Sequence, residues 1–410
     1  MTIKKIKQIF RDTAYVRTGG SQEEKKAAEY IQGVLQEYSL AAEITSFPVQ
    51  MATIHQATLT VDGKQIPCKG YLCCGSGEVE GEVYYLTDDD KASLEKCKGK
   101  IVMVDGYLGF WRYRDMLEYG AVGFITYDGH INYADRDIDQ RELRKMVSDG
   151  VEKILGVNIN VKDAVEIINR QAKYAKISIS QDEYEGVSHN VVLDLKGSSE
   201  KTIVLTAHYD STSLSQGAYD NMSGSVGLIA MAAYFAKMPL RHSLKFIWCG
   251  SEERGLLGAK AYCETASEEE LKNVVLNVNL DMIGCIMGKF IACCTSENKL
   301  VDYLGYMGDE LGFQIKPYQD VYSSDSTPFA DKGIPAVSFA RIAPPPTATI
   351  HNSYDTAKLM KAERMQEDIA FIQAFVLRMA SAARCPVARE MPDNMKEKID
   401  EYLCRKRKKK

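Results

Sequence analysis

Apolar runs alternate with helix-like segments along the second half of the chain. The apolar runs at 191–195, 202–207, 244–249, 274–280 and 334–339 have the length and β-branched content of buried strands. Between and after them, apolar residues recur at helical spacing over 223–236, 256–263, 300–311 and 360–383. Strands that alternate with helices predict an α/β fold, a three-layer sandwich with a mixed, mostly parallel central sheet.

The first 48 residues have a helical pattern that ends in one strand. Ser21 can cap a helix whose Glu24 stands three residues further on, which is the spacing of a capping box. Apolar residues then recur at helical spacing to about residue 38, and the alternation over 42–49 predicts a strand.

The pattern changes between residues 50 and 186. Short strand-like runs at 57–61 and 82–86 are separated by glycine-containing turns, and longer apolar runs at 99–107 and 120–129 predict buried strands around a helix at 111–119. We therefore expect a β-rich domain at 50–186 inserted into a catalytic domain made of 1–49 and 187–390. Residues 391–410 are expected to form a C-terminal helix and a basic tail.

Composition and charge argue against some classes of protein but do not identify an activity. The 410 residues carry a net charge of -5, which argues against a general nucleic-acid binder, although the basic run at 405–410 is typical of a disordered tail. Neither a secretory signal nor a run of about 18 apolar residues is present, so no membrane association is expected. Eleven cysteines without a signal favour free thiols and a cytoplasmic location.

Histidines and acids follow the ends of the predicted strands. Ligands bind at the carboxyl edge of an open α/β sheet, so side chains that follow several parallel strands are expected to meet there. Seven such residues stand out: His208, Asp210, Asp220, Glu252, Glu253, Asp281 and His351.

So many acids at one edge indicate bound cations. Carboxylates within about 4–6 Å of each other resist joint ionisation unless a positive charge lies between them. A site of histidine and carboxylate ligands suits Zn²⁺, with Mn²⁺ or Co²⁺ possible by ligand type. The sequence therefore predicts a two-metal hydrolytic centre.

The order of the motifs resembles that of the co-catalytic zinc exopeptidases, which include bacterial leucyl aminopeptidases, aminopeptidase Y and the glutamate carboxypeptidases. The resemblance covers about 187–383 and the N-terminal helix. It consists of H-x-D at 208–210, D-N at 220–221, E-E at 252–253, the single Asp281 and H-x-x-x-D-T at 351–356. It implies two Zn²⁺ per chain, with Asp220 bridging them, His208 and Asp281 completing one site, and Glu253 and His351 completing the other.

The same resemblance implies roles for further residues. Glu252 is expected to be the general base, and Asp210 to orient His208 through its second ring nitrogen. The S-D-x-x-P-F element at 324–329 makes Asp325 a substrate-binding candidate, although Ser326 stands where many members have histidine, and Tyr322 is a candidate to polarise the substrate carbonyl. Members of the family also share a cis peptide bond after the bridging aspartate, here at 220–221.

Several functions remain open at this point. The first hypothesis is an aminopeptidase that acts on peptide substrates, and the alternative on the same centre is a carboxypeptidase or dipeptidase. Arg341 could meet a substrate carboxylate, but a structural ion pair is the favoured interpretation. A single-zinc glutaminyl cyclase and a non-catalytic binding protein rank lower, because the complete ligand set is present. Residues 99–129 resemble the protease-associated domain that is often inserted in such enzymes.

Overall fold

The computed structural model describes residues 1–104, 106–345 and 347–408. Asp105 of the predicted strand 99–107 and the last two lysines of the basic tail therefore lie outside the described residues. The strands are β1 Glu43–Val61, β2 Lys64–Ile66, β3 Lys69–Gly70, β4 Gly77–Leu86, β5 Lys100–Val104, β6 Gly123–Asp128, β7 Leu155–Asn160, β8 Tyr174–Leu195, β9 Thr202–His208, β10 Ser243–Cys249, β11 Val274–Leu280, β12 Lys289–Thr295, β13 Lys316–Gln319 and β14 Ala336–Ile342.

The helices agree with the periodicity where it was long and regular. They are α1 Ile3–Asp12, α2 Gln22–Glu37, α3 Lys91–Leu94, α4 Phe110–Glu118, α5 Lys145–Ser148, α6 Val161–Asn169, α7 Ser223–Phe235, α8 Leu257–Thr265, α9 Glu268–Asn273, α10 Asn298–Leu311, α11 Ser326–Asp331, α12 Ala362–Ser381 and α13 Asp393–Tyr402. None of those in the described ranges is both long and apolar enough to cross a lipid bilayer.

The chain forms two compact units, Met1–Phe47 with Val187–Lys410, and Pro48–Gly186. In the first unit the strand order is β13-β12-β14-β11-β9-β10-β8. The four central strands β14, β11, β9 and β10 are parallel, and the outer pairings β12–β14 and β10–β8 are antiparallel. The predicted mixed, mostly parallel sheet is thus confirmed.

Helices cover both faces of this sheet. Apolar side chains of α1, α2, α7, α10 and α12 share one core with the strands, and α8 and α11 pack on the opposite face around Phe329 and Cys263. Helix α7 is apolar nearly all round, because it lies between the sheet and the outer helices α2 and α12. These layers form the predicted sandwich.

The second unit contains a further set of paired strands. Strands β4, β5, β6 and β7 are parallel, and β3 and the first part of β8 pair antiparallel at its two sides. Helices α3 to α6 connect these strands, as parallel pairing requires. The sequence pattern indicated β5, β6 and α4 but not β7 and α6.

Two local expectations need correction. The strand predicted at 42–49 continues to Val61 as a single long strand. The start of the basic tail is ordered rather than disordered, because Arg405 forms ion pairs with Asp331 and Asp400, and Lys406 pairs with Glu397.

Candidate metal centre

The parallel strands bring the predicted residues to one edge of the sheet. His208 is the last residue of β9 and pairs in register with Cys249, the last residue of β10. Asp281 directly follows β11, whose Asn279 is in register with Thr206 of β9. Glu252 stands three residues beyond Cys249. Because the strands end side by side, side chains distant in sequence converge.

Asp220 reaches the same edge through close packing of helix α7. A Cβ atom added to Gly224 would lie 2.2 Å from the carbonyl oxygen of Leu280, and one added to Gly227 would lie 2.7 Å from the Leu280 side chain. Only glycine therefore allows this approach of α7 to β11. The result is that Asp220, just before α7, faces Asp281, just after β11.

The side chain of Asn221 links the two aspartate segments. Its Nδ2 donates to the carbonyl of Leu280 at 2.9 Å, and its Oδ1 accepts from the backbone N–H of Met282 at 3.0 Å. These two partners flank Asp281. The peptide bond Asp220–Asn221 is cis, as the sequence resemblance implied.

Two groups of side chains can each hold a metal ion, and they share Asp220. His208, Asp220 and Asp281 form one group, and Asp220, Glu253 and His351 form the other, each with ligand atoms within 4.8 Å of one another. His208 Nε2 lies 3.1 Å from Asp220 Oδ1 and 3.9 Å from Asp281 Oδ1. His351 Nε2 lies 3.1 Å from both Asp220 Oδ2 and Glu253 Oε2.

The two histidines differ in their access to solvent. The His208 side chain is only 1% exposed, whereas that of His351 is 50% exposed. His351 lies in the loop after β14 and has a left-handed backbone with φ of 61°. The two groups therefore share a bridging carboxylate but face different surroundings.

Burial sets the electrostatics of the centre. Burial and the charge of Asp220 raise the pKa of Asp281 to about 7. Burial alone would lower the pKa of His351, but Glu253 and Asp220 outweigh it and raise the pKa to about 12. Burial also opposes ionisation of Asp220, yet the two imidazoles beside it lower its pKa. The acids of this cluster therefore repel one another, and a positive charge placed beside them favours their ionised forms.

Zinc fits this donor set. Four ligands placed tetrahedrally at about 2.0–2.1 Å from zinc are about 3.3 Å apart, close to the separations of 3.1–3.9 Å between the His208 nitrogen and its carboxylate neighbours. Asp281 Oδ1 is buried and accepts no hydrogen bond within the described part of the chain. A buried oxygen of this kind needs a cation or donor as its partner.

Asp210 connects three residues of the centre. Its carboxylate, which is fully buried, accepts the backbone N–H groups of Glu252 at 3.0 Å and Glu253 at 3.1 Å. Its Oδ1 also lies 3.4 Å from His208 Nδ1. Asp355 makes similar hydrogen bonds, since its carboxylate accepts the backbone N–H groups of Tyr219 at 2.7 Å and Asp220 at 3.1 Å.

Glu252 lies beside both metal groups without belonging to either. Its Oε2 is 3.9 Å from His208 Nε2. Burial raises the pKa of this carboxyl well above its ordinary value, and although His208 opposes the shift, Glu253, Asp325 and Asp281 add to it. A carboxyl group in such surroundings readily holds a proton.

Tyr322 and Asp325 lie in one segment, which connects β13 to α11. Burial raises the pKa of Tyr322, and the charges of Asp281 and Asp220 add to the shift. Asp325 is fully buried, with Cys249 beside it, and burial raises its pKa to about 7. Direct contact between Asp325 and a peptide is therefore disfavoured by burial, whereas Tyr322 remains partly exposed.

Sequence reasoning missed the contacts of two buried ionisable side chains of the N-terminal segment. Arg17 is fully buried and donates to the carbonyls of Tyr209 and Gly217, which belong to the chain between His208 and Asp220. Since its partners are backbone oxygens, no sequence pattern marks them. The only sign of this role in the sequence is that Arg17 is a charged residue outside any amphipathic helix.

Glu24, which the sequence marks only as part of a helix cap, also contacts the residue next to Glu252. The N-cap is confirmed, because Ser21 Oγ accepts the N–H of Glu24 at 3.1 Å. The Glu24 carboxylate, however, accepts the N–H groups of Gly20 and Ser251 and the hydroxyl of Ser188, each at 2.8 Å. It thus holds the residue directly before Glu252.

Known proteins share this sequence and fold. Residues 190–376 match the model of peptidase family M28. The chain is 26% identical to aminopeptidase YwaD of Bacillus subtilis over 394 residues, which cover 90% of this chain and 82% of that protein. It is 30% identical to a probable leucine aminopeptidase 2 of Arthroderma benhamiae over 193 residues, which cover 46% of this chain and 38% of the other.

Solved structures agree with the sequence comparison. An aminopeptidase from Aneurinibacillus sp. strain AM-1 superimposes with a TM-score of 0.76 at 23% identity, covering 94% of this chain and 96% of that one. The zinc aminopeptidase BSAP from Bacillus subtilis also gives a TM-score of 0.76, at 24% identity, covering 95% and 96%. At these identities the likeness shows the fold. Residues 190–376 thus match peptidase family M28, and the chain as a whole is similar in sequence to a Bacillus aminopeptidase.

Proposed function

We propose that this protein is a zinc-dependent aminopeptidase that removes N-terminal residues from peptides. The observation that carries the proposal is the pair of possible metal-binding groups that share Asp220. The carboxyl of Glu252 lies beside them and belongs to neither group. The names of the relatives support it, because the similar Bacillus subtilis structure is described as a zinc aminopeptidase.

The residues would hold two zinc ions per chain. His208, Asp220 and Asp281 would bind one ion, and Asp220, Glu253 and His351 the other. When bound, a zinc pair lowers the pKa of water toward neutrality and polarises a carbonyl group. Asp210 would keep the His208 ring in place and fix the backbone that carries Glu253.

Glu252 is proposed as the general base. Its carboxylate accepts a proton from the water that attacks the scissile carbonyl carbon, and donates the same proton to the leaving nitrogen as the C–N bond breaks. The burial that raises its pKa suits this role, because it makes the carboxylate a stronger base for the proton of the water. The hydroxyl of Tyr322 is proposed to donate to the carbonyl oxygen. Asp325 is proposed to support the site from its buried position, without contact to the peptide.

The charge balance of the centre favours an aminopeptidase over a carboxypeptidase. Six carboxyl groups, those of Asp210, Asp220, Glu252, Glu253, Asp281 and Asp325, surround the proposed pair of divalent cations. Those of the six that are ionised attract a protonated α-amine and repel a C-terminal carboxylate.

Arg341, the candidate partner for a substrate carboxylate, is already occupied. Its Nε donates to Asp368 Oδ2 at 2.9 Å, and its Nη1 donates to the carbonyl of Gly288 at 3.0 Å. Asp368 is fully buried. The structural ion pair favoured from the sequence is thus the one observed, and it leaves this arginine unsuited to bind substrate.

A panel of peptides tests the proposal. Leucyl, alanyl and glutaminyl peptides are prepared with free and with acetylated N-termini, and products are identified by mass spectrometry alongside zinc analysis of the purified protein. We expect two zinc per chain, stepwise loss of N-terminal residues from the free peptides, and no cleavage of the acetylated ones. Glu252→Gln, purified in parallel, controls for contaminating peptidases.

Other outcomes would identify the alternatives. Shortening of acetylated peptides from the C-terminal end would establish a carboxypeptidase. Loss of ammonia from glutaminyl peptides without cleavage, with one zinc per chain, would establish a glutaminyl cyclase. Absence of both zinc and turnover would leave a binding protein.

A further inference from the structure

The C-terminal helix α13 packs against the segment that carries Tyr322 and Asp325. Both the helix and the tail lie beyond residues 190–376, which match the family model. Apolar side chains on the two sides form a separate small core, consisting of Val321, Ala330, Ala336, Met391, Met395, Ile399 and Leu403. The helix therefore has a defined partner in the first unit, and that partner is a segment of the candidate site.

Polar contacts extend this packing along the whole segment from 319 to 331. Each joins a residue of α13 or the following turn to a different position of the segment. They are Asn394 to Gln319 at 2.9 Å, Lys398 to Asp320 at 2.9 Å, Tyr402 to Ser323 at 2.7 Å, and Arg405 to Asp331 at 2.5 and 2.7 Å.

The hydrogen bond between Ser323 and Tyr402 is next to Tyr322, the residue proposed to donate to the substrate carbonyl. Ser323, whose Oγ is bonded to Tyr402, lies between Tyr322 and Ser324 in the chain. On the inner side, Asn279 Nδ2 donates to Ser324 Oγ at 3.0 Å, and Thr327 Oγ1 donates to the carbonyl of Tyr322 at 2.8 Å. The segment around Tyr322 is thus held by α11 and the sheet on one side and by α13 on the other.

We propose that helix α13 is a positioning element of the active site that holds Tyr322 in place for the substrate carbonyl. The inference rests on the proposed function, because Tyr322 acts only if a carbonyl is bound. Tyr402 and Arg405 are then positioning residues that act through Ser323 and Asp331. A side chain must be held within about 0.5 Å of its productive position to contribute fully, which gives the helix its role.

The double variant Tyr402→Phe/Arg405→Ala tests this role with little risk to folding. It removes the hydrogen bond between Tyr402 and Ser323 and the exposed ion pairs of Arg405 with Asp331 and Asp400, but leaves the apolar core of α13 intact. Lys406→Ala is the matched control, because its ion pair with Glu397 joins the tail to α13 itself. We expect the double variant to lose roughly 3–30-fold in kcat with KM and zinc content unchanged, and the control to behave as wild type.

Two further readouts separate positioning from general destabilisation. If α13 acts through Tyr322, the effect of the double variant is absent in a Tyr322→Phe background, so the two changes are not additive. Hydrogen exchange over 319–331 should accelerate in the double variant and not in Lys406→Ala, whether or not the protein cleaves peptides. Wild-type kcat in the double variant, full additivity with Tyr322→Phe, or unchanged exchange over 319–331 would each overturn the inference. Failure of wild type to cleave any peptide, with the exchange result as expected, would instead overturn the proposed function.

Discussion

Asp210→Asn is the change that most directly tests how the centre is held together. The Asp210 carboxylate accepts the N–H groups of both Glu252 and Glu253 and lies beside His208. An asparagine has the same shape but only one accepting oxygen, so its NH₂ group must face one of these two N–H donors. We expect the backbone under Glu252 or Glu253 to lose a hydrogen bond without loss of the fold.

The magnitude follows from the kind of bond that is lost. A hydrogen bond to a charged group contributes about 1.5–3 kcal/mol, and a buried donor left without a partner adds its own cost. Since about 1.4 kcal/mol corresponds to a factor of ten, the expected loss in kcat/KM is roughly 10–150-fold. This range agrees with the roughly 10–100-fold effects of removing the outer partners of metal ligands in general.

Steady-state kinetics and zinc titration of Asp210→Asn measure both consequences. The control is Asp309→Asn, which makes the same chemical change at an exposed position of α10. We expect weaker zinc binding, slower turnover or both in the first variant, and wild-type values in the second. If Asp210→Asn matches its control in zinc affinity and kcat/KM, the assigned role of Asp210 is wrong.

Three further predictions follow from the buried charges. Glu252→Gln should retain zinc and fold but lose about 10²–10⁴-fold in kcat, and wild-type turnover would exclude this residue as the base. Asp368→Asn should leave Arg341 buried without its counter-charge and lower the free energy of unfolding by about 3–5 kcal/mol, with kcat/KM of the folded enzyme preserved; unaltered denaturant midpoints would contradict this. Burial and the charge of Asp210 raise the pKa of Glu24 to about 8 against its hydrogen bonds. Because the folded state then retains a proton that the unfolded state releases above about pH 4.5, stability should decline as pH rises from 5 to 8. Glu24→Gln should decline less steeply in denaturation experiments at pH 5, 6.5 and 8, and equal slopes would refute the assignment.

The sequence predicted the first unit well because its strands are short, apolar and buried. Strands β9, β10 and β11 lie within one residue of the predicted runs, and the placement of His208 and Asp281 follows from their ends. Strand β13 and helices α9 and α11 were not predicted, since four to six residues are too few to show a period. Strand β12 was missed as well, although it has seven residues and is mostly buried.

The residues that support the site were much less visible. Asn221, Arg17 and Glu24 bond mainly to backbone groups or serines, and such partners have no sequence signature. Their roles arise only when the chain is folded, because Glu24 and Ser251 are separated by more than half of the chain. The proposed metal ligands could be named from the sequence, because metal binding restricts which residue types can serve.

The contrast in exposure between His208 and His351 implies that the two proposed cations would exchange with solvent at different rates. Water and small chelators can reach the imidazole of His351, which is half open, but scarcely that of His208. Dialysis against a mild chelator should therefore withdraw the ion of the outer site first and leave a singly loaded intermediate that retains the inner one.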